Sequence, residues 1–153
     1  MTQFMGTHRN RLDAKGRVSV PAAFREVLRR SDEPQAVMIL RPSHLHPCVE
    51  GWTVADFDEL RSGLRRLDRF SDEHGDMALS LFSGAHRITS DKEGRIMLPE
   101  DLAAHAGLGS EIVFMGAGDT FQIWEPEAAM RRQREAIERA RTLRLTLPSG
   151  GAA

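Results

Sequence analysis

Polar and apolar positions divide the chain into short segments. Residues 6–12 read as a strand rich in polar side chains. Val18 and Val20 alternate with Ser19, which predicts a half-buried strand. Pro21 has its φ preset for a first helical turn, and Phe24, Val27 and Leu28 then fall on one helical face. "AVMILRP" (36–42) and "EIVFMGAG" (111–118) are apolar runs short enough for buried strands. "HPCVEGW" (46–52) and "TFQIWE" (120–125) are expected to return antiparallel to them, with "GAGD" (116–119) as a hairpin turn. Residues 54–70 set Phe57, Leu60, Leu64 and Leu67 at helical spacing, and "DMALSLFSGAH" (76–86) is expected to continue helically after a break near His74 and Gly75. Residues 127–143 read as a basic helix with a thin stripe of Ala128, Ala129, Ala136, Ile137 and Ala140. "PSGGAA" (148–153) reads as a disordered tail.

This pattern recurs within the chain. "GTHRNRLDAKGRVSVP" (6–21) aligns without a gap with "GAHRITSDKEGRIMLP" (84–99). Seven of 16 columns are identical: Gly6/Gly84, His8/His86, Arg9/Arg87, Asp13/Asp91, Gly16/Gly94, Arg17/Arg95 and Pro21/Pro99. Background composition gives about one. Each copy predicts strand–turn–strand–helix. The aspartate accepts backbone N–H bonds in an Asx-turn, and the glycine supplies a positive φ. In the second copy Ile96 and Leu98 flank Met97, Pro99 opens a helix and Gly107 stops it. Neither copy has enough core to stand alone. The economical packing is a pseudo-twofold pair whose intertwined strands bury one barrel-like core, with both turns on one rim. The expected divisions are a first repeat at 4–53, linking helices at 54–81, a second repeat at 82–125, a C-terminal helix at 126–145 and a tail at 146–153.

Charge sharpens the picture. The chain has 153 residues, 41% of them apolar, and a formal net charge of −1. Residues 1–30 carry seven basic groups (Arg9, Arg11, Lys15, Arg17, Arg25, Arg29, Arg30) against Asp13 and Glu26, for +5. Residues 31–80 carry −5, residues 81–125 carry −4 and residues 126–153 carry +3. A basic first segment can hold a polyanion locally despite the neutral total. Nineteen of the 21 basic residues are Arg, the better bidentate partner for phosphate and guanine edges, although a GC-rich genome gives the same bias. The single cysteine, Cys48, excludes an intramolecular disulfide and fits a reducing compartment. No apolar run approaches the roughly 18–20 residues of a membrane span. Residues 1–6 do not read as the start of a signal peptide. The expectation is a soluble cytoplasmic chain.

Candidate chemistry is sparse. His44, His46 and Cys48 alternate and could meet a metal from one strand face, but three such residues without a second cluster are more often structural. His8 and His86 repeat, and packing or backbone bonding accounts for them better than ligation. Ser19 has no partnered His and Asp pattern, and there is no phosphate-cradling Gly loop. No catalytic, cofactor or metal site is expected, and no small-molecule substrate. The Asp13–Arg17 pair could be a surface salt bridge that only stiffens a turn. Its recurrence as Asp91–Arg95, while neighbouring positions diverged, points instead to a shared task.

The residues Phe4, Met5 and Gly6, with "LDAKGRVSVPAAFR" (12–25), "HPC" (46–48), "SDKEGRIMLPEDLAAHAGL" (90–108) and "FQIWE" (121–125), resemble the MraZ family of bacterial proteins. The likeness runs from residue 4 to about residue 140. It departs at "VEGWT" (49–53), where a more apolar strand leading to an aromatic and a proline is expected. The resemblance implies an α+β fold: a pseudo-twofold, swapped-hairpin (AbrB-like) β-barrel of two internal repeats with flanking helices. It implies a transcriptional regulator that binds double-stranded DNA, acts on its own operon in a division and cell-wall gene cluster, and is nucleoid-associated. It also implies a homo-oligomeric ring. Ring neighbours present their edges with one polarity, so direct repeats near ~10 bp spacing are expected, not a palindrome.

The Asp-x-x-x-Arg motif is the family's signature, and it matches Arg17 and Arg95 here. Asp13 and Asp91 would hold the turns and orient the arginines, with Gly16 and Gly94 closing them. Arg9, Arg11, Lys15, Arg87 and Lys92 would mostly contact phosphates. Lys15 stands where the second copy has Glu93, and Arg11 where it has Thr89, so the first repeat is expected to dominate contact with DNA. The basic C-terminal helix is open between DNA, a ring neighbour and solvent. The alternative function is a structural ring whose basic edge grips an acidic protein; an enzyme is a distant third.

Overall fold

The structure, a computed structural model, describes residues 2–29 and 33–149. Arg30 and the last four residues of the expected tail lie outside them. Among the described residues eight strands and five helices follow one another as β1 (Thr7–Arg11), β2 (Arg17–Ser19), α1 (Ala22–Leu28), β3 (Val37–Pro42), β4 (Val49–Trp52), α2 (Val54–Leu64), α3 (Asp72–Ala78), β5 (His86–Thr89), β6 (Arg95–Met97), α4 (Glu100–His105), β7 (Glu111–Gly116), β8 (Thr120–Trp124) and α5 (Pro126–Thr142). A π-helical turn, Leu79–Ser83, extends α3.

Six strands form one antiparallel sheet in the order β1-β7-β8-β4-β3-β5, and β2 pairs with β6 in a separate ribbon. Exchanging the two repeats turns this order into its own reverse. The first strand of each repeat therefore lies beside a strand of the other: Asn10 opposite Ile112, and Ile88 opposite Met38. The pseudo-twofold axis passes through the β4–β8 ladder at Glu50 opposite Gln122. Matching details flank it. Trp52 Nε1 donates to Glu50 at 3.1 Å, and Trp124 Nε1 donates to Gln122 at 2.8 Å. Thr53 caps α2 and Glu125 caps α5. The ladder ends at β1 and β5, with no strand pairing between these edges among the described residues.

One core takes residues from both repeats. Phe4, Val18, Val20, Phe24, Met38, Leu40, Ile96, Leu98, Leu102, Ile112, Phe114, Phe121 and Ile123 pack between the sheet, the ribbon, α1 and α4. Phe24 meets Phe4, Phe114 and Phe121 at ring-centroid distances of 5.3, 6.3 and 5.3 Å. Such aromatic pairs contribute about 0.5–1.5 kcal/mol each beyond their burial. Phe121 lies over Gly51, its cross-strand partner, where a Cβ would enter the ring, so the bulk of one strand fills the gap in the other. Despite its departure from the expected pattern, "VEGW" is a paired strand. On the opposite sheet face Ala129 of α5 packs with Cys48, Val113, Met115 and Trp124.

Several expectations are corrected. The 54–70 helix ends at Leu64, and the break lies at 65–71, not at His74 and Gly75. Ser71 is the reason: its side chain accepts the His74 amide at 3.1 Å and starts α3, which runs through Gly75. Ile137 is exposed, so the buried stripe of α5 narrows to Ala129 with Ala128 beside it. Gly107 does follow the end of α4: its amide bonds Ala104 O, and the Leu108 amide bonds Ala103 O. "GAGD" does turn β7 into β8, with the Ala117 amide donating to Thr120 O at 2.8 Å. Among the described residues no helix is long and apolar enough to cross a membrane.

Candidate nucleic-acid interface

The two Asp-x-x-Gly-Arg turns have one architecture. Asp13 Oδ1 accepts the amides of Lys15 and Arg17, both at 2.9 Å, while Oδ2 accepts Arg17 Nε at 2.9 Å. In the second copy Asp91 Oδ1 accepts the amides of Glu93 and Arg95 at 2.9 Å, and Oδ2 accepts Arg95 Nε at 3.1 Å. Gly16 and Gly94 sit at φ +84° and +81°, the left-handed conformation that closes each turn. The Arg17 amide most of all, and the Arg17 side chain after it, hold the Asp13 carboxyl below the usual carboxylate range. Arg95 does the same for Asp91. Each aspartate thus orders its turn and orients an arginine through its Nε.

The ribbon joins the turns. Val18 lies opposite Ile96, and both point into the core. Arg17 lies opposite Met97, and Ser19 opposite Arg95, all on the outer face. The ladder runs into the turns themselves: Leu98 N donates to Gly16 O at 2.8 Å, and Val20 N to Gly94 O at 3.0 Å. The two arginines stand diagonally on the ribbon, within reach of each other's long side chains. Their side chains are 35% and 37% exposed.

The ends differ in charge and cover. Arg95 Nη2 lies 3.6 Å from Glu93, so its guanidinium is shared between two carboxylates. Among the described residues Arg17 pairs only with Asp13, and Lys15 stands where Glu93 does. Arg25 returns a cation to the second end. Its Nε donates to Val20 O at 3.1 Å, and its guanidinium lies 2.5–2.7 Å from where a Cβ on Gly94 would be. The matching residue in the other copy is Ala103, which leaves the first turn without a covering guanidinium. Asn10 Nδ2 donates to Ser19 O and ties β1 to the ribbon.

The structure gathers Asp13, Lys15, Gly16 and Arg17 at one end of the ribbon, and Asp91, Lys92, Gly94 and Arg95 at the other. It does not gather the strand arginines there. In β1, His8 packs on Phe24 and Asn10 bonds the ribbon, while Thr7 meets Gln133 of α5, so Arg9 and Arg11 emerge on the α5 side. Arg9 is 3.6 Å from Glu111, and Arg11 borders a shallow cleft with Asp13, Ala14 and residues 108–110. Arg87 is exposed on edge strand β5, opposite Ile39. Sequence reasoning missed Arg25, Ser19, Met97 and Asn10. The repeat alignment, carried on at the same offset, held a signal for all four, because Arg25/Ala103, Ser19/Met97 and Asn10/Ile88 are positions where the copies diverge.

The histidines have local partners. His8 Nε2 lies 3.3 Å from Met5 O, and His86 Nε2 lies 3.0 Å from Asp101, whose carboxyl is lowered by that contact. His44, His46 and Cys48 sit in the β3–β4 connection: His44 lies 3.4 Å from Arg41, His46 is tilted toward Trp124 at a ring-centroid distance of 6.1 Å, and Cys48 is buried. Among the described residues no three His, Cys, Asp or Glu side chains converge as metal ligands.

Two strand–turn–strand–helix units with paired Asp–Arg turns on one ribbon define a duplicated, pseudo-twofold module. The family model described as "MraZ protein, putative antitoxin-like" matches residues 3–78 and 81–142. A Gluconobacter oxydans protein named "Transcriptional regulator MraZ" is 57% identical over 144 residues, covering 94% of this chain and 88% of its own length. Proteins of the same name from Gluconacetobacter diazotrophicus and Parvibaculum lavamentivorans are 55% and 39% identical, covering 99% and 97% of this chain and 95% and 92% of their own lengths. The chain belongs to the MraZ family.

Proposed function

We propose that this protein is a DNA-binding transcriptional regulator whose contact element is the β2–β6 ribbon. One observation carries the reading: two aspartate-aimed arginines emerge from rigid turns on a single exposed ribbon face. A two-stranded ribbon is of a size that the major groove admits, and an arginine such as Arg17, paired through Nε alone, can offer its Nη atoms to guanine O6 and N7. Lys15, Lys92 and Arg25 flank the arginines and suit phosphates. The names of the relatives support regulation of transcription. The finer reading adds a swapped-hairpin barrel, a ring of identical chains, direct repeats upstream of its own gene and residence at the nucleoid. It needs no cofactor, small-molecule substrate or catalytic group. Arg17 outweighs Arg95, because Arg95 is held by two carboxylates and Arg17 by one.

Footprinting on the DNA upstream of its gene tests this. Wild type protects spaced direct repeats, Arg17→Ala loses at least tenfold in affinity and Arg95→Ala loses less. Arg17→Ala protein that protects the same DNA as wild type refutes the site. Wild type that protects no DNA, but retains an acidic protein partner, favours the alternative reading.

A further inference from the structure

The outer face of the ribbon carries four side chains, and two of them are not charged. Residues 19 and 97 are equivalent under the pseudo-twofold, yet one is Ser and the other Met. Met97 is 56% exposed. It adds nothing to the core, which Val18 and Ile96 close from the opposite side of the ribbon. Its Sδ lies 3.5 Å from where a Cβ on Gly16 would be, so the thioether rests over the first turn, beside Arg17. The matching place over Gly94 is taken by the Arg25 guanidinium. One end of the ribbon thus offers cations and a soft apolar surface. The other offers cations and a hydroxyl.

Resting on the reading of the ribbon as the DNA-contacting element, we propose that Met97 is a specificity residue that reads the C5-methyl group of a thymine next to the guanine contacted by Arg17. That methyl is the apolar group on the major-groove edge of the four base pairs. An unbranched thioether adapts its shape to such a contact. Ser19 can bond to more than one base, and its strand position is fixed by the Asn10 bond to its carbonyl. The two ends therefore read different sequences, and a site bound by one chain is asymmetric.

The test replaces thymine by deoxyuridine, which deletes the methyl group alone. Wild-type protein selects a duplex from a random-sequence pool, and each thymine of that duplex is then replaced singly. The position next to the guanine whose protection depends on Arg17 is expected to weaken about fourfold, the worth of one buried methyl-sized group. Met97→Ser removes that sensitivity and leaves the rest of the profile unchanged, while Met97→Leu keeps it. Ser19→Met creates a second sensitive position, next to the guanine that depends on Arg95. Both residues are exposed, and equal urea midpoints confirm that the variants fold. A selected duplex with a flat deoxyuridine profile, with no thymine at that place, or with a profile unchanged by Met97→Ser overturns this proposal alone. A pool from which no duplex is enriched overturns the DNA reading as well.

Discussion

Arg41 is 1% exposed, on the outer face of the sheet. Its Nη1 donates to Glu50 at 2.7 Å and its Nη2 to Ser80 O at 2.8 Å, while Nε is buried without an acceptor. The pseudo-twofold supplies a natural control. Arg41 pairs across its ladder with Glu50, and the equivalent pair in the second half is Met115 with Gln122. Glu50→Gln leaves a buried guanidinium without its counter-charge. Breaking such pairs costs about 3–5 kcal/mol, and about 3 is expected here because the amide oxygen can still accept from Nη1. Arg41→Met removes the unpaired Nε–H but strands Ser80 O and the 16%-exposed Glu50, for about 1–2 kcal/mol. The double variant rebuilds the chemistry already present in the second half and should return to within about 1 kcal/mol of wild type. The implied coupling is about 3 kcal/mol. Urea denaturation reads it directly: with a slope of about 2 kcal/mol/M, Glu50→Gln lowers the midpoint by about 1.5 M, and the second substitution restores most of it. A double variant no more stable than Glu50→Gln refutes the reasoning, because the ion pair would then not be what Glu50 contributes.

Three further outcomes follow from the site and its surroundings. If Lys15 contacts a phosphate, Lys15→Ala should flatten the slope of log affinity against log salt by about 0.9, and an unchanged slope removes Lys15 from the interface. Because the carboxyls of Asp13 and Asp91 are lowered, their support of the turns is complete above the ordinary aspartate value and fades as pH falls through the lowered values. The amide resonances of Gly16 and Gly94 should therefore move only below about pH 4, and an inflection at pH 5 or above contradicts the geometry. Burial above all, with Glu50 nearby, pushes the Cys48 thiol up to about 12. Iodoacetamide at pH 8 should leave it unmodified in the folded protein and label it in urea, and rapid native labelling would place the thiol at the surface.

The paired turns were legible because their chemistry is local. Asp, Gly and Arg at fixed spacing form the turn wherever the chain carries them, and the repeat doubled the signal. Val18, Val20, Ile96 and Leu98 announced the buried side of the ribbon by alternation alone. The partners of these elements were less legible. Nothing in residues 6–12 marks residues 111–115 as their neighbours, because pairing across the repeats is decided by the shared core. Nothing near Arg41 in the chain marks it for burial, since its cover is formed by the π-helical turn, 39 residues further on. Arg25 and Met97 were hidden for a related reason. Each covers a glycine of the other repeat, so the contact exists only after the repeats have come together. The helix break was misplaced because Gly75 drew attention, when the capping side chain of Ser71 decides where α3 begins.

The pairing of β1 with β7 sets an order on events at the ribosome. Thr7 lies opposite Met115 and Arg11 opposite Glu111, so the first strand made finds its partner roughly a hundred residues later. Until then β1 has no ladder to join, β2 waits for β6 at residues 95–97, and Phe4 and Phe24 lack Phe114 and Phe121. Contacts at such separation make folding slow, and apolar segments wait unburied. The polar, arginine-rich character of residues 6–17 means that this stretch adds little apolar surface while it waits for its partners.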